Sequence, residues 1–201
     1  MTSVAAPAAA DFTPVNPPDH RNVAWWGMMA LIINEASFFA YLIFTYFYLG
    51  SMAHTPWPPP GPPELRLVLP NTFILLASSG TMWWAEHELK NGEHLRFRLG
   101  LLATFILGTV FIIIQAIEWS GKGFVPQANA YGSLFFTITG FHGAHVLVGL
   151  LFIAVSLARA LRGHFTAERH LAVTNAAMYW HFVDAVWLAV FMSLYITPYL
   201  S

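Results

Sequence analysis

Residues 131–158 read YGSLFFTITGFHGAHVLVGLLFIAVSLA, without a single Asp, Glu, Lys or Arg. The uncharged run continues on both sides, from Lys122 to Arg159. A helix needs roughly 20 apolar residues to cross about 30 Å of hydrocarbon. Membrane strands would need segments of roughly ten residues with strict alternation, and this continuous run has none. It therefore predicts a transmembrane helix. Two further charge-free gaps lie on its N-terminal side, Arg66 to Glu86 and Arg98 to Glu118, each of at least 19 residues. Two more apolar stretches carry one acid each: Val23 to Gly50 with Glu35, and Leu171 to Tyr199 with Asp184. The expectation is an all-α integral membrane bundle of five transmembrane helices, near 23–50, 67–89, 98–118, 131–160 and 171–198.

Composition agrees. Of 201 residues, 9% are charged, 57% hydrophobic and 16% aromatic, against about 25% charged in an ordinary soluble domain. A disordered chain would be polar and charge-rich. The net charge of -1 gives no electrostatic case for nucleic acid. The absence of cysteine excludes disulfides, thiolate metal sites and cysteine nucleophiles. Residues 1–22 are rich in Ala and Pro and read as a flexible tail before a five-helix domain over 23–201. The tail lacks the basic start and apolar stretch of a secretory signal, so the first helix is expected to be retained. The prolines of the 55–63 segment rule out helix there and predict an extended loop.

Seven of the nine basic residues fall on one side of a five-span chain: Arg21, Lys90, Arg96, Arg98, Arg159, Arg162 and Arg169. The positive-inside rule places that side, with the N-terminus, in the cytoplasm and the C-terminus outside.

Carboxylates deep in a bilayer face the bundle or water and have partners. Glu35 and Asp184 are the deep acids, and His181 shares a helix face with Asp184. They fit either a proton or ion relay or a polar clamp that fixes helix packing, and the general pairing rule favours the clamp. His142 and His145 also share a face. Two ligands are too few for a closed metal site, and histidines three apart on one helix do not suit stacked haems. The neighbouring Gly140, Gly143, Ala144 and Gly149 allow close backbone approach, so interhelical hydrogen bonding is expected of both. Glu118 beside Trp119 reads as an interfacial acid with an aromatic anchor. Glu86, His87, Glu88 and His94 read as a solvated cluster, with surface proton collection as the other possibility. Arg159, Arg162, His164, Arg169 and His170 form a basic cluster suited to anionic headgroups, at about 1 kcal/mol per basic residue. No phosphate loop, dinucleotide fingerprint or Ser/His/Asp spacing is present.

Five motifs, in order, resemble haem–copper oxidase subunit III, in its short five-helix bacterial form. They are Asn34-Glu-Ala-Ser-Phe-Phe39, Asn71-Thr-Phe-Ile-Leu-Leu-Ala-Ser-Ser-Gly80, Gln115-Ala-Ile-Glu118, the next helix's Tyr131-Gly-Ser-Leu-Phe-Phe136 taken together with Thr139-Gly-Phe-His-Gly-Ala-His-Val-Leu-Val-Gly149, and Tyr179-Trp-His-Phe-Val-Asp-Ala-Val-Trp187. The resemblance implies a non-catalytic subunit of a proton-pumping terminal oxidase, of cytochrome c oxidase type, that reduces oxygen to water. It implies no cofactor in this chain, with haem and copper in subunits I and II. The implied partners are subunit I as main contact, subunit II, other complex subunits and membrane phospholipids. The implied roles are stabilising subunit I, binding lipid and supporting proton uptake. Glu35 falls on the family's buried glutamate, and Arg159, Arg162, His164 and Phe165 on its lipid-contact stretch. Glu118, His142, His145, His181 and Asp184 match motif positions without an assigned chemistry. The expected location is the bacterial inner membrane, ahead of the mitochondrial one. The mitochondrial type has seven helices, and this chain starts at the equivalent of the third, so a lipid cleft of that form needs its other arm from elsewhere. A quinol oxidase subunit III and a nitric oxide reductase accessory subunit are similar. An independent proton or ion carrier is the reading from a different class.

Overall fold

The computed structural model describes residues 23–54, 56–59, 63–166 and 170–200. The tail, Arg21, Arg169 and much of the Pro-rich loop lie outside the described residues. Five long helices follow in order: α1 (Val23–Met52), α2 (Leu65–Lys90), α3 (His94–Ser120), α4 (Ala130–Leu161) and α5 (Leu171–Phe191). The chain then continues through a π-helical turn, Met192–Ile196, and a 3₁₀ turn, Thr197–Tyr199. No strand occurs among the described residues.

Local chemistry sets the helix ends. The Asn129 side chain accepts a 2.8 Å hydrogen bond from the Gly132 N–H and caps α4, satisfying one of the donors that a helix start leaves open. Gly92, at φ +79°, makes the tight reversal from α2 to α3 in a backbone region that side chains disfavour.

Helices α2, α3, α4 and α5 pack as a ring, with α2 running along α3, α4 joining α3 to α5, and α5 returning to α2. α1 leans on α5 and α4 from outside, burying only Phe39, Leu42 and Tyr46. The ring closes around Trp180, whose indole is fully buried. A Cβ on Gly108 of α3 would stand 2.6 Å from that indole, and one on Gly149 of α4 2.7 Å. The two glycines are the walls of its slot. Ile106, Ile113, Leu147, Leu151 and Val155 point outward and are exposed, which suits hydrocarbon and not water.

Four segments are long and apolar enough to cross a membrane: α1, α3, α4 and Leu171–Tyr199. The protein is thus a multi-pass membrane protein. α2 is long but less apolar, because Asn71, Thr72 and Ser78 are buried polar residues. Their hydrogen bonds explain this: Asn71 Nδ2 donates to the Phe111 carbonyl at 3.1 Å, and Thr72 and Ser78 accept from the indoles of Trp187 and Trp180, each at 3.0 Å. Polar side chains satisfied inside the bundle lower a helix's hydropathy without exposing it to lipid.

Candidate functional site

Three of the polar links within the bundle involve the acids Glu35, Asp184 and Glu118. The first joins α1 to α4. His145 Nε2 lies 3.1 Å from Glu35 Oε2, and His145 Nδ1 lies 2.7 Å from the Phe141 carbonyl. A carbonyl only accepts, so Nδ1 carries hydrogen. One further proton must then lie between Nε2 and the carboxyl group, on either atom. The pair borders a cavity of about 260 Å³ that Leu31, Val148, Phe152 and Tyr179 also line. A gentle prediction follows. Glu35→Gln keeps a polar group opposite His145 and should leave the chain's recovery in detergent at the wild-type level. Glu35→Ala strands the imidazole and should weaken the α1 attachment by about 1–2 kcal/mol. Equal resistance of Glu35→Ala and wild type to rising detergent would contradict this.

The second link joins α2 to α5. The Ser79 hydroxyl donates to Asp184 Oδ2, and its oxygen lies 2.9 Å from His181 Nδ1. Serine, histidine and aspartate are thus brought together, which the sequence spacing did not predict. Nucleophilic catalysis requires the imidazole between hydroxyl and carboxylate. Here the hydroxyl sits between the other two, so the order is wrong for a hydrolase. Asp184 is 5% exposed, and its Oδ1 has no hydrogen-bond partner among the described residues.

The third link gathers around Glu118, expected both as an interfacial acid and as a buried polar candidate. Glu118 is buried. It accepts from Gln115 Nε2 at 2.6 Å and from the Tyr195 hydroxyl at 3.2 Å, and it pairs with Lys122 Nζ at 2.5 Å. The Lys122 ammonium also lies 5.0 Å from the Phe135 ring centre and 5.5 Å from that of Tyr195. A cavity of about 490 Å³ opens beside the pair, with Glu64, Leu67, Phe124 and Tyr131 in its lining.

His142 requires a correction. The expected interhelical hydrogen bond is not made: His142 is fully buried, and neither ring nitrogen has a hydrogen-bond partner among the described residues. It packs instead against Trp187, ring centres 4.8 Å apart, and Phe111, 5.8 Å apart. His142 faces the ring interior while His145 reaches α1, so the two do not converge on one ligand. Among the described residues, no group of three or more His, Cys, Asp or Glu is placed to hold a metal ion.

The acidic cluster at the end of α2 is only partly solvated. Glu88 is buried, accepts from Trp84 Nε1 at 3.1 Å and faces Arg96 at 3.6 Å. Glu86 pairs with Lys90 at 3.0 Å and accepts from the Thr174 hydroxyl of α5 at 3.1 Å. In the basic cluster, Phe165 is buried against Phe97, with the Arg159 guanidinium 5.1 Å above its ring. His164 lies 3.3 Å from the Arg159 carbonyl, and Arg162 caps α4. The exposed Arg159, not Phe165, is what a headgroup would meet.

The family model for cytochrome c oxidase subunit III matches residues 19–199. The chain belongs to the cytochrome c oxidase subunit III family. It is 43% identical over 180 residues to cytochrome c oxidase subunit 3 of Myxine glutinosa, covering 85% of this chain and 68% of that protein. The same-named protein of Gadus morhua is 42% identical over 187 residues, covering 89% and 71%. That of Dugong dugon is 43% identical over 180 residues, covering 85% and 68%. These relatives are subunits of an oxidoreductase complex, so this subunit III-family chain belongs with a multi-subunit assembly. Ser79, Lys122 and Tyr195 are the polar partners that sequence reasoning did not single out. The one available signal was the i,i+4 spacing of Glu118 and Lys122.

Proposed function

We propose that this chain is the non-catalytic subunit III of a proton-pumping terminal oxidase of cytochrome c oxidase type. In this reading it braces subunit I, contacts subunit II and other subunits, binds phospholipid and supports proton uptake. Haem and copper belong to the partner subunits. The observation that carries the reading is what the acids within the bundle do. Glu35, Asp184 and Glu118 are each engaged by a side chain of another helix or of the chain's last turn. Polar groups used in this way suit a brace between membrane helices.

We further propose that α2 crosses the membrane with the other four. Its 26 residues span about 39 Å at 1.5 Å per residue. Five crossings place the N-terminus with the basic cluster in the cytoplasm and the C-terminus outside. The membrane we assign is the bacterial inner membrane, on the resemblance to short five-helix forms; the mitochondrial inner membrane is the other respiratory membrane to test. The Arg159 cluster is the proposed lipid-headgroup contact.

Purification of the native complex in mild detergent tests the assignment. A haem- and copper-bearing subunit I should accompany this chain, and the isolated chain should show no haem spectrum. A haem spectrum from the isolated chain would sink the proposal. Non-haem iron in place of copper in the partner would favour the nitric oxide reductase reading. A quinol-oxidising partner would make it a quinol oxidase subunit. Proton flux through liposomes holding only this chain, abolished by Glu35→Gln, would favour the carrier.

A further inference from the structure

The link between α2 and α5 has chemistry that a mere clamp does not need. The three groups differ in access: Ser79 and His181 are half-buried, whereas Asp184 is 5% exposed. Its Oδ2 meets Ser79, and its Oδ1 is buried without a hydrogen-bond partner among the described residues. The hydroxyl between them can donate one hydrogen and accept another at the same time. Two complementary arrangements satisfy this geometry. In one, the Asp184 carboxyl donates to Ser79, and Ser79 donates to a neutral His181 Nδ1. In the other, His181 Nδ1–H donates to Ser79, and Ser79 donates to the Asp184 carboxylate. The geometry points to Ser79 as a proton bridge through which the buried Asp184 exchanges its proton with His181. This inference goes beyond the proposed function and does not depend on the electron donor or the partner's cofactors.

The step balances. The Asp184 O–H bond breaks as Ser79 Oγ takes that proton. The Ser79 O–H bond breaks as His181 Nδ1 takes the other. The hydroxyl is regenerated, Asp184 becomes a carboxylate and His181 an imidazolium. A second polar contact lies two helical turns along the same seam. Thr174, seven residues before His181, donates to Glu86, seven residues after Ser79. The seam thus carries a polar contact at two levels, near the end of α2 and at Asp184, with the apolar Met82, Ala85 and Ala177 buried between them. Other ionisable groups surround α5 on the helices packed against it. They are Glu35 on α1, His142 and His145 on α4, and Glu86, His87, Glu88 and Lys90 on α2, with Tyr195 and Glu118 at its far end.

The test is time-resolved infrared spectroscopy of the purified native complex after a pH jump. The Asp184 carboxyl band is assigned by its loss in Asp184→Asn, and the imidazole signal by its loss in His181→Phe. In wild type the two signals should respond together. Ser79→Ala should slow the Asp184 response at least tenfold and leave that of His181 unchanged, and Ser79→Thr should restore it. His181→Phe should slow Asp184 comparably, which keeps the inference open to test if Ser79→Ala does not assemble. An unchanged Asp184 rate in Ser79→Ala or in His181→Phe would overturn the bridge. So would the absence of any carboxyl band removed by Asp184→Asn.

Discussion

Glu118→Ala should destabilise the folded bundle by about 3–5 kcal/mol, the usual loss when one member of a buried ion pair is removed. The Lys122 side chain is 13% exposed and that of Glu118 6%, so both charges are largely withdrawn from solvent. Without the carboxylate, the Lys122 ammonium keeps only the faces of Phe135 and Tyr195. Such contacts are worth about 0.5–2 kcal/mol and cannot replace it. Gln115 Nε2 and the Tyr195 hydroxyl lose their acceptor as well. The double variant Glu118→Leu with Lys122→Met should recover much of the loss, because replacing both members of a buried pair by apolar groups is often neutral. Thermal denaturation of wild type, Glu118→Ala and the double variant in detergent is the measurement. A melting curve for Glu118→Ala that overlies wild type would show that the cluster does not hold the fold.

Trp180→Ala should cost a comparable 3–5 kcal/mol, the range for removing a large buried aromatic side chain. Lipid is as apolar as the bundle interior, so little of this is transfer from water. It is lost packing: the indole fills the slot between Gly108 and Gly149, and Leu150 also borders the Gly108 wall. Both glycines leave a groove that no smaller side chain fills. The indole N–H bond to the buried Ser78 is lost too. Trp180→Phe should fall between the two, since it keeps part of the fill and loses the hydrogen bond. Chain recovery and melting of the purified complex would rank the three. Equal stability of Trp180→Ala and wild type would remove Trp180 as the centre of the ring.

The helices were legible because charge is excluded from hydrocarbon: charge-free gaps marked α2, α3 and α4, and apolar stretches with one acid each marked α1 and α5. α2 shows the limit of that signal. Its gap between Arg66 and Glu86 predicts a crossing, yet its buried Asn, Thr and Ser residues lower its hydropathy. Whether such groups are satisfied depends on Phe111, Trp180 and Trp187 of other helices. The deep acids Glu35 and Asp184 were equally legible, but their partners were not. His145 lies 110 residues from Glu35, and Ser79 105 from Asp184. Of the adjacent serines, Ser78 faces Trp180 and Ser79 faces α5's polar pair, a distinction set by helix rotation and invisible in composition. Glu118 looked interfacial because it closes an apolar run. What buries it is Tyr195, 77 residues on. His142 failed for a related reason: small neighbours promised a close backbone, but Phe111 and Trp187 occupy the space around its ring.

Tyr195 reaches Glu118 from the π-helical turn Met192–Ile196. Through α5 the inward residues come in pairs, such as Val186 with Trp187 and Val190 with Phe191, whereas Ser193, Leu194 and Tyr195 are buried in succession. A π turn takes up one residue more than an α turn. The last turn is thus set to a different rotational phase from the helix that carries it. One continuous rod meets two unlike surfaces: the polar seam of α2 around Asp184, and the ion pair that closes the end of α3. Each surface can be fitted without twisting the other out of alignment, as two keys may be cut on one shank.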